Sequence, residues 1–202
     1  MGRPQYLKEV ELAKMNSLIV IIGPSGIGKS FAVNVLCELF PDHFTRLKVY
    51  TTRPVRPSEV DVNDRVFVSK EQFDRMVDEG YYGVHYHFAG SRYGYSKQGL
   101  ESGGKHIITN APPFTLPLFT HYDNLVAIGL QTPADYSDFL RTRIEARGDT
   151  FLARKLFIER DTQDLEAMRR DINNRGKIFE VKDDSTISTE VLPWLTSRLG
   201  IG

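Results

Sequence analysis

Apolar residues along the chain are grouped in short runs that longer amphipathic stretches separate. The run SLIVII at residues 17–22 is compact and rich in branched side chains, a composition typical of a strand buried on both faces of a sheet. Three later runs have the same character and predict further buried strands, at residues 104–112, 124–131 and 176–184.

Between these runs the apolar residues recur at helical spacing. Residues 30–40, SFAVNVLCELF, predict a helix that Pro41 stops. Further helices are predicted at residues 133–148, 150–172 and 188–199. Strands that alternate with helices build a parallel sheet covered on both faces, so the pattern predicts an α/β fold.

Two stretches depart from this alternation. Residues 47–96 are rich in β-forming residues, turn residues and arginine, with one short helix predicted at residues 69–80. This change of character predicts a small β-rich insertion in the α/β domain. Residues 4–15 predict a short charged helix or a partly ordered lead-in.

Bulk composition narrows the classes of protein that the chain can belong to. Its 202 residues suffice for one domain with a proper core, and 26 basic residues balance 26 acidic ones. A balanced charge supplies no general attraction to nucleic acid or to an anionic membrane, so neither is an expected partner. The chain has a single cysteine, Cys37, and no apolar run of membrane-spanning length. We therefore expect a cytoplasmic protein.

The stretch IIGPSGIGKS at residues 21–30 carries the clearest chemical signal. It satisfies the pattern G-x-x-x-x-G-K-[ST], in which glycines let successive backbone N–H groups point at phosphate oxygens beside a helix N-terminus. An ordinary glycine turn is the alternative, but the predicted strand before the loop and helix after it favour a phosphate-binding loop. The residues predicted to bind the nucleotide are Gly23, Ser25, Gly26, Gly28, Lys29 and Ser30.

The last two residues of this loop have distinct predicted roles. Lys29 reaches the β- and γ-phosphates of ATP and is a predicted catalytic residue. Ser30 is the predicted Mg²⁺ ligand through its hydroxyl. ATP and Mg²⁺ are therefore the expected cofactors.

Arginines that follow the loop predict a second anion site. Arg53 and Arg56 lie three residues apart in a proline-stiffened segment, an arrangement suited to one phosphate dianion. Arg143 and Arg147 are spaced for one helical face, and Arg154 follows after a short connection. These three are predicted catalytic cations that neutralise charge in the transition state. A solvated basic turn and a helix surface paired with acidic residues remain the alternatives.

Taken together, these motifs resemble the guanylate kinase family from about residue 17 to residue 199. Residues 51–80 are similar to the acceptor-binding insertion of that family, with T-T-R-x-x-R and a short helix. Residues 89–96, AGSRYGYS, are similar to its G-N-x-Y-G-[TS] stretch. Residues 146–156 are similar to its lid, and VKDD at residues 181–184 to its V-N-D-D.

The resemblance implies a P-loop NTPase fold, in which a parallel sheet is flanked by helices and carries a β-rich acceptor-binding insertion and a helical lid. Its implied activity is ATP-dependent phosphorylation of a monophosphate, by a monomer or a homodimer. The boundaries that follow are an N-terminal extension at 1–16 and a domain at 17–199, with its core at 17–46, 97–132 and 173–199, acceptor-binding subdomain at 47–96, and lid with flanking helices at 133–172.

Residue by residue, the phosphate-handling positions of the family are present. The resemblance assigns Arg53, Arg56 and Tyr93 to the phosphate of the acceptor. The lid positions carry Arg143, Arg147 and Arg154, with Lys155 in place of a second arginine. Lysine keeps the charge but loses the bidentate geometry of a guanidinium.

The positions that read guanine in the family are altered. Val49 stands in place of a serine, Tyr95 in place of a serine or threonine, and ungapped counting places the guanine-binding glutamate on Val84. Guanine N–H groups left without acceptors cost roughly 1–3 kcal/mol each, so we expect weak guanine specificity. Arg65 occupies an aromatic position of the family and adds a cation to the acceptor site.

The end of the strand at 104–112 also differs from the family. Two carboxylates expected there fall on Asn110 and Pro112, and Asn110 is predicted to bind substrate. An asparagine at this place, Val84, and His87 after an aromatic residue resemble ribose 1,5-bisphosphate phosphokinases, which share the guanylate kinase fold. Arg65 suits an acceptor that bears a second phosphate. A sugar-phosphate kinase is thus the first alternative function.

A non-catalytic binding module is the second alternative, because some guanylate kinase-like domains are protein-interaction scaffolds. A scaffold has no need of the phosphate loop at residues 23–30 or of lid arginines. The presence of both favours an enzyme.

Overall fold

The computed structural model describes residues 16–55, 64–101, 103–133, 137–146 and 151–201. The helix predicted at residues 4–15 lies outside these ranges. Nine strands are described within them, in chain order β1 (Leu18–Ile22), β2 (Phe44–Arg46), β3 (Val49–Thr51), β4 (Arg65–Phe67), β5 (Tyr82–Phe88), β6 (Ser91–Ser96), β7 (His106–Ala111), β8 (Leu125–Gln131) and β9 (Lys177–Glu180).

The described α-helices are α1 (Lys29–Leu39), α2 (Lys70–Asp78), α3 (Lys97–Leu100), α4 (Ser137–Glu145), α5 (Phe151–Ala167), α6 (Arg169–Arg175) and α7 (Leu192–Leu199). A 3-10 helix at Pro113–Phe119 follows β7. A short π-helical segment at Ile187–Val191 leads into α7.

Five parallel strands form the central sheet, in the order β2–β7–β1–β8–β9. All five residues of β1, the middle strand, are buried. Its side chains alternate between the two faces, since Ile19 and Ile21 pack in one hydrophobic cluster and Leu18, Val20 and Ile22 in another. Helices α1, α4 and α7 contribute to the first cluster, and the 3-10 helix and α6 to the second.

A second sheet of four strands has the order β4–β3–β6–β5. Strands β5 and β6 form an antiparallel hairpin that turns at Ala89 and Gly90, both with positive φ. Helix α2 begins with a capping box between Ser69 and Gln72, and its Phe73 stacks on Tyr82 of β5. Val49 and Tyr95 pack in the second cluster of the central sheet, so the two sheets share hydrophobic core.

The predicted elements agree with the structure in type and order, apart from one divided helix and several short elements. The single helix predicted at 150–172 is two helices, because α5 ends at Ala167 and α6 begins at Arg169. The short strand β2 and the 3-10 helix were not predicted, since three residues and a proline-containing stretch carry too little periodicity. Among the described helices, none combines the length and apolar composition that crossing a bilayer requires.

Candidate active site

The loop between β1 and α1 has the conformation that its glycines predict. Gly23, Gly26 and Gly28 have φ values of 154°, 87° and 106°, a region that residues with a side chain rarely adopt. A Cβ atom on Gly23 would lie 2.3 Å from the carbonyl oxygen of Leu130. Gly28 is the N-cap of α1, so the loop wraps around the N-terminus of that helix, where an anion is favoured.

Lys29 lies across this loop. Its Nζ atom donates hydrogen bonds to the carbonyl oxygens of Gly23, at 2.7 Å, and Pro24, at 2.9 Å. The ammonium group is thereby held over the loop, where the phosphates of a bound nucleotide would lie.

Ser30 and Asn110 meet at the edge of the central sheet. Asn110 is the register partner of Ile21 in the parallel pair β1–β7, and parallel neighbours end at the same edge of a sheet. The side-chain amide of Asn110 donates a hydrogen bond to the hydroxyl of Ser30 over 3.1 Å. The strand pairing therefore brings together two predicted site residues that are 80 positions apart.

A cavity of about 140 Å³ lies between the phosphate loop and the second sheet. We call it the acceptor pocket. It collects residues that the sequence assigned to the donor and acceptor sites: Ser25, Lys29, Arg53, Arg65, Tyr93 and Asn110. Val49, Pro112 and Asp161 also line it.

Two arginines form the cationic side of the acceptor pocket. The guanidinium of Arg53 lies 5.5 Å from the ring centroid of Phe67, and its Nη1 atom donates to the carbonyl oxygen of Pro54 at 2.9 Å. Arg65, on β4, lies 3.9 Å from the carboxylate of Asp64. Both guanidiniums are half-buried and can bind an anion with parallel hydrogen bonds.

Aromatic side chains from β5 and β6 form the opposite wall. The rings of Tyr86 and Tyr93 stack with centroids 5.3 Å apart, and Phe88 packs edge-on against Tyr93. The hydroxyl of Tyr95 donates to the backbone carbonyl of Asn110 at 3.1 Å. Burial raises the pKa of both Tyr86 and Tyr95, so both remain neutral phenols.

Asp161 is a pocket residue that sequence reasoning missed. It lies on α5, is 3% exposed, and reaches the acceptor pocket. Burial raises the pKa of Asp161, while the nearby Lys29 and a contact of 3.2 Å with Arg160 act in the opposite direction. The segment ERDTQD is typical of a solvated helix surface, so no signal in the sequence singled out this carboxylate.

The positions assigned to base reading do not all face the pocket. Val49 lines it, but Val84 is 3% exposed and packs in the hydrophobic cluster, and Tyr86 lines the wall two residues further along β5. The irregular pairing between Tyr82 and Val84 lies just before this stretch. His87 is exposed on the other face of β5, so its expected similarity to a sugar-phosphate kinase has no counterpart in the pocket.

Arg143 lies near Gly28 of the phosphate loop and lines a cavity other than the acceptor pocket. It forms an ion pair of 2.6 Å with Asp184, and its guanidinium lies 5.0 Å from the ring centroid of Phe139. A Cβ atom on Gly28 would be 3.9 Å from its Nη2 atom. A second cavity, of about 640 Å³, is lined by Phe139, Thr142, Arg143 and Asp184.

The structure describes the other predicted cations only in part. Arg56, Arg147 and the side chain of Arg154 lie outside the described residues. Lys155 is exposed on α5 and lies 3.8 Å from Glu159, a surface pairing that stabilises little.

The site offers hard oxygen ligands that fit Mg²⁺ better than a transition metal. Ser30 supplies a hydroxyl and Asn110 an amide beside it. Within the described ranges no cluster of three or more histidine, cysteine, aspartate or glutamate side chains could hold a metal ion. Mg²⁺ commonly keeps several waters and takes its other ligands from substrate phosphates, so this ligand set is compatible with it.

Comparisons with known proteins agree with this geometry. The family model described as Guanylate kinase matches residues 15–107. A guanylate kinase of Chlamydia abortus is 30% identical over 183 residues, which cover 87% of this chain and 84% of the relative. The chain belongs to the guanylate kinase family. A guanylate kinase of Frankia casuarinae is 41% identical over a shorter stretch of 83 residues, 41% of this chain and 45% of the relative.

A solved structure extends the likeness to the fold of this family member. The crystal structure of guanylate kinase from Anaplasma phagocytophilum matches with a TM-score of 0.67 at 18% identity, over 91% of this chain and 87% of that chain. The predicted P-loop α/β fold is confirmed, as are the family and, at the level of the family, a kinase.

Proposed function

We propose that this guanylate kinase family member transfers the γ-phosphoryl group of ATP to the phosphate of a small acceptor held in the acceptor pocket. One observation carries the proposal: Lys29 of the phosphate loop and the acceptor arginines Arg53 and Arg65 line a single cavity. Donor and acceptor phosphates bound to these groups would be neighbours, and phosphoryl transfer depends chiefly on such positioning and charge stabilisation.

On the donor side, the backbone of the loop and Lys29 bind the phosphates of ATP. Ser30 would hold Mg²⁺ through its hydroxyl, which accepts a hydrogen bond from the side-chain amide of Asn110. When bound there, Mg²⁺ would supply positive charge that offsets the charge of the phosphates. The cavity beside Arg143 and Phe139 has a volume of about 640 Å³, which lies within the usual range for a drug-sized ligand, and we assign it to the nucleoside of ATP.

On the acceptor side, Arg53 and Arg65 bind the phosphate, with Tyr93 beside them. Arg56 is the partner of Arg53 in the sequence motif and belongs to the same proposal. Guanidiniums bind phosphate in a bidentate manner and remain charged at every physiological pH, so they fix the orientation of the attacking oxygen.

We further propose that guanine is not the preferred acceptor base. Of the positions where the family reads guanine, Val49 lines the pocket and accepts no side-chain hydrogen bond, and Tyr95 lines it with a hydroxyl that donates to the backbone carbonyl of Asn110. A site that leaves polar groups of the ligand unpaired discriminates poorly in their favour. The finer acceptor specificity of this chain therefore differs from that of its guanylate kinase relatives.

A sugar-phosphate acceptor is the alternative that a specific observation favours. The acceptor pocket, at about 140 Å³, is smaller than the roughly 300–1,000 Å³ of typical ligand sites. A ribose phosphate fills less space than a nucleotide, and Arg65 adds a cation for a second phosphate. Ribose 1,5-bisphosphate is the acceptor of this class that the resemblance suggested.

Release of ADP from ATP·Mg²⁺ tests these alternatives, with GMP, AMP, CMP, UMP, ribose 5-phosphate and ribose 1,5-bisphosphate as separate acceptors. We expect turnover with at least one of them and less than a tenfold preference for GMP over the next best. Strong and exclusive turnover of GMP would contradict the proposed specificity. A binding module without catalysis would release no ADP with any acceptor and would not be stabilised thermally by ATP·Mg²⁺.

A further inference from the structure

A buried carboxylate faces the acceptor pocket from a helix that no motif of the phosphate loop includes. Asp161 lies on α5 and is 3% exposed, yet it lines the same cavity as Lys29 and Arg53. Keeping an ionisable group out of water is costly unless its partners compensate, and burial raises the pKa of Asp161 in spite of Lys29 and Arg160. Ionisable groups that are buried beside a cavity, in spite of the free energy that burial costs, are frequently functional.

Arg160, which precedes Asp161 in the sequence, anchors α5 to the wall of the pocket. The guanidinium of Arg160 lies 4.9 Å from the ring centroid of Phe88 and 5.3 Å from that of Phe114. Phe88 itself lines the pocket, and the two phenyl rings stack on each other at 5.8 Å. These contacts hold Asp161 in place at the cavity because the adjacent residue is fixed against two aromatic rings.

The other charged side chains that line the acceptor pocket are all cations. Lys29, Arg53 and Arg65 only donate hydrogen bonds, and they suit the phosphate of the acceptor. The NH2 group of Asn110 donates to Ser30, which leaves its side-chain carbonyl oxygen as a neutral acceptor, and Val49 is apolar. Among the described residues that line the pocket, Asp161 carries the one carboxylate.

Resting on the proposed function, we propose that Asp161 determines acceptor specificity by accepting a hydrogen bond from a hydroxyl or N–H group of the acceptor. The phosphate is held by the arginines, and the carboxylate on α5 selects a donor group next to it. The carboxylate of Asp161, on α5, can accept a hydrogen bond from the substrate, which the side chains of Val49 and Pro112 cannot. Acceptors without such a donor group leave this buried carboxylate short of one hydrogen bond and are bound less tightly.

The test compares Asp161→Asn and Asp161→Ala with a matched control, Glu166→Gln, on the same helix. The side chain of Glu166 is 65% exposed and pairs with Arg169, so its variant loses one charge away from the pocket. For each protein we would measure KM and kcat for ATP and for the acceptor panel above, calorimetric binding of each acceptor without ATP, and the Tm.

We expect both Asp161 variants to raise the KM of the best acceptor at least tenfold and to weaken its binding in proportion. The KM of ATP should change less than twofold, and the Glu166 variant should match the wild type in every measurement. If GMP is the one nucleotide whose binding the Asp161 variants weaken, Asp161 contacts an N–H group of the base. An equal loss with ribose 5-phosphate assigns it to a sugar hydroxyl.

An unchanged acceptor KM in a folded Asp161 variant overturns the inference, as does a parallel loss of ATP affinity. The proposed function fails separately, if the wild type binds an acceptor but transfers no phosphoryl group to it. Binding of that acceptor then still decides whether Asp161 selects it. If the wild type binds none of the panel, both proposals fall.

Discussion

The side-chain amide of Asn110 and the hydroxyl of Ser30 are joined by a hydrogen bond of 3.1 Å, across the ends of the adjacent parallel strands β7 and β1. Where the family places a carboxylate, this chain has an uncharged amide that touches the proposed Mg²⁺ ligand. The side chain beside the proposed Mg²⁺ ligand is thus uncharged.

We expect Asn110→Asp to lower the Mg²⁺ concentration for half-maximal activity severalfold, because a carboxylate is the ligand that Mg²⁺ prefers. Asn110→Ala, which removes the contact to Ser30, should raise that concentration. Titration of Mg²⁺ at fixed ATP measures both, and thermal stabilisation by Mg²⁺·ADP gives a reading that does not depend on turnover. Identical Mg²⁺ dependence in all three proteins would place Asn110 away from the metal.

Lys29→Ala should reduce kcat by about 10²–10³-fold, the cost typical of removing one group that stabilises the transition state. The fold should persist, because Lys29 is only half-buried and its two described hydrogen bonds go to backbone carbonyls of its own loop. Steady-state kinetics and the Tm measure the two effects. Lys48→Ala, at an exposed position, is the control for loss of a positive charge. Activity near that of the wild type in the Lys29 variant would refute the assignment of the donor site.

Two glycine substitutions separate steric from conformational strain. Gly23→Ala places a Cβ atom 2.3 Å from the carbonyl oxygen of Leu130 at a φ of 154°, so we expect a loss of about 2–4 kcal/mol in the free energy of unfolding. Gly90→Ala has a φ of 76° with nothing within 4 Å of the added atom, and should cost only about 1–2 kcal/mol. Urea unfolding measures both values. Equal losses would mean that the loop next to β8 yields to the added atom.

The stability of the protein should fall with rising pH through the titration of Asp161. Burial raises its pKa in the folded state, so the unfolded chain releases the proton first and gains stability relative to the fold as the pH rises. Below the ordinary pKa of an aspartate both states hold the proton, and the effect vanishes.

Asp161→Asn removes this penalty and should raise the Tm at pH 7 by roughly 1–4 °C, with no difference from the wild type near pH 3. Thermal scans of both proteins between these limits check the sign. A lower Tm of the variant at pH 7 would mean that the attraction of Lys29 and Arg160 outweighs burial.

Local sequence was sufficient for the parts of the protein whose structure depends on neighbours along the chain. Glycines at 23, 26 and 28 predict the phosphate loop, because only glycine adopts their positive φ values readily. Branched apolar runs predict the buried parallel strands. In the parallel pair β1–β7, Ile21 is the register partner of Asn110, and Asn110 bonds Ser30. Short elements such as β2 lacked enough residues to show a period.

Side-chain direction and contacts between distant segments could not be obtained in this way. Counting along β5 placed the base-reading position on Val84, but Val84 packs in the core, and Tyr86, two residues further along the same face, lines the pocket. Asp161 became a pocket residue because α5 packs against Phe88 and Phe114 through Arg160. Ten consecutive residues determine the phosphate loop, so the sequence alone predicts it. The acceptor pocket is formed by residues more than 100 positions apart, which only hydrophobic packing in the tertiary structure brings together.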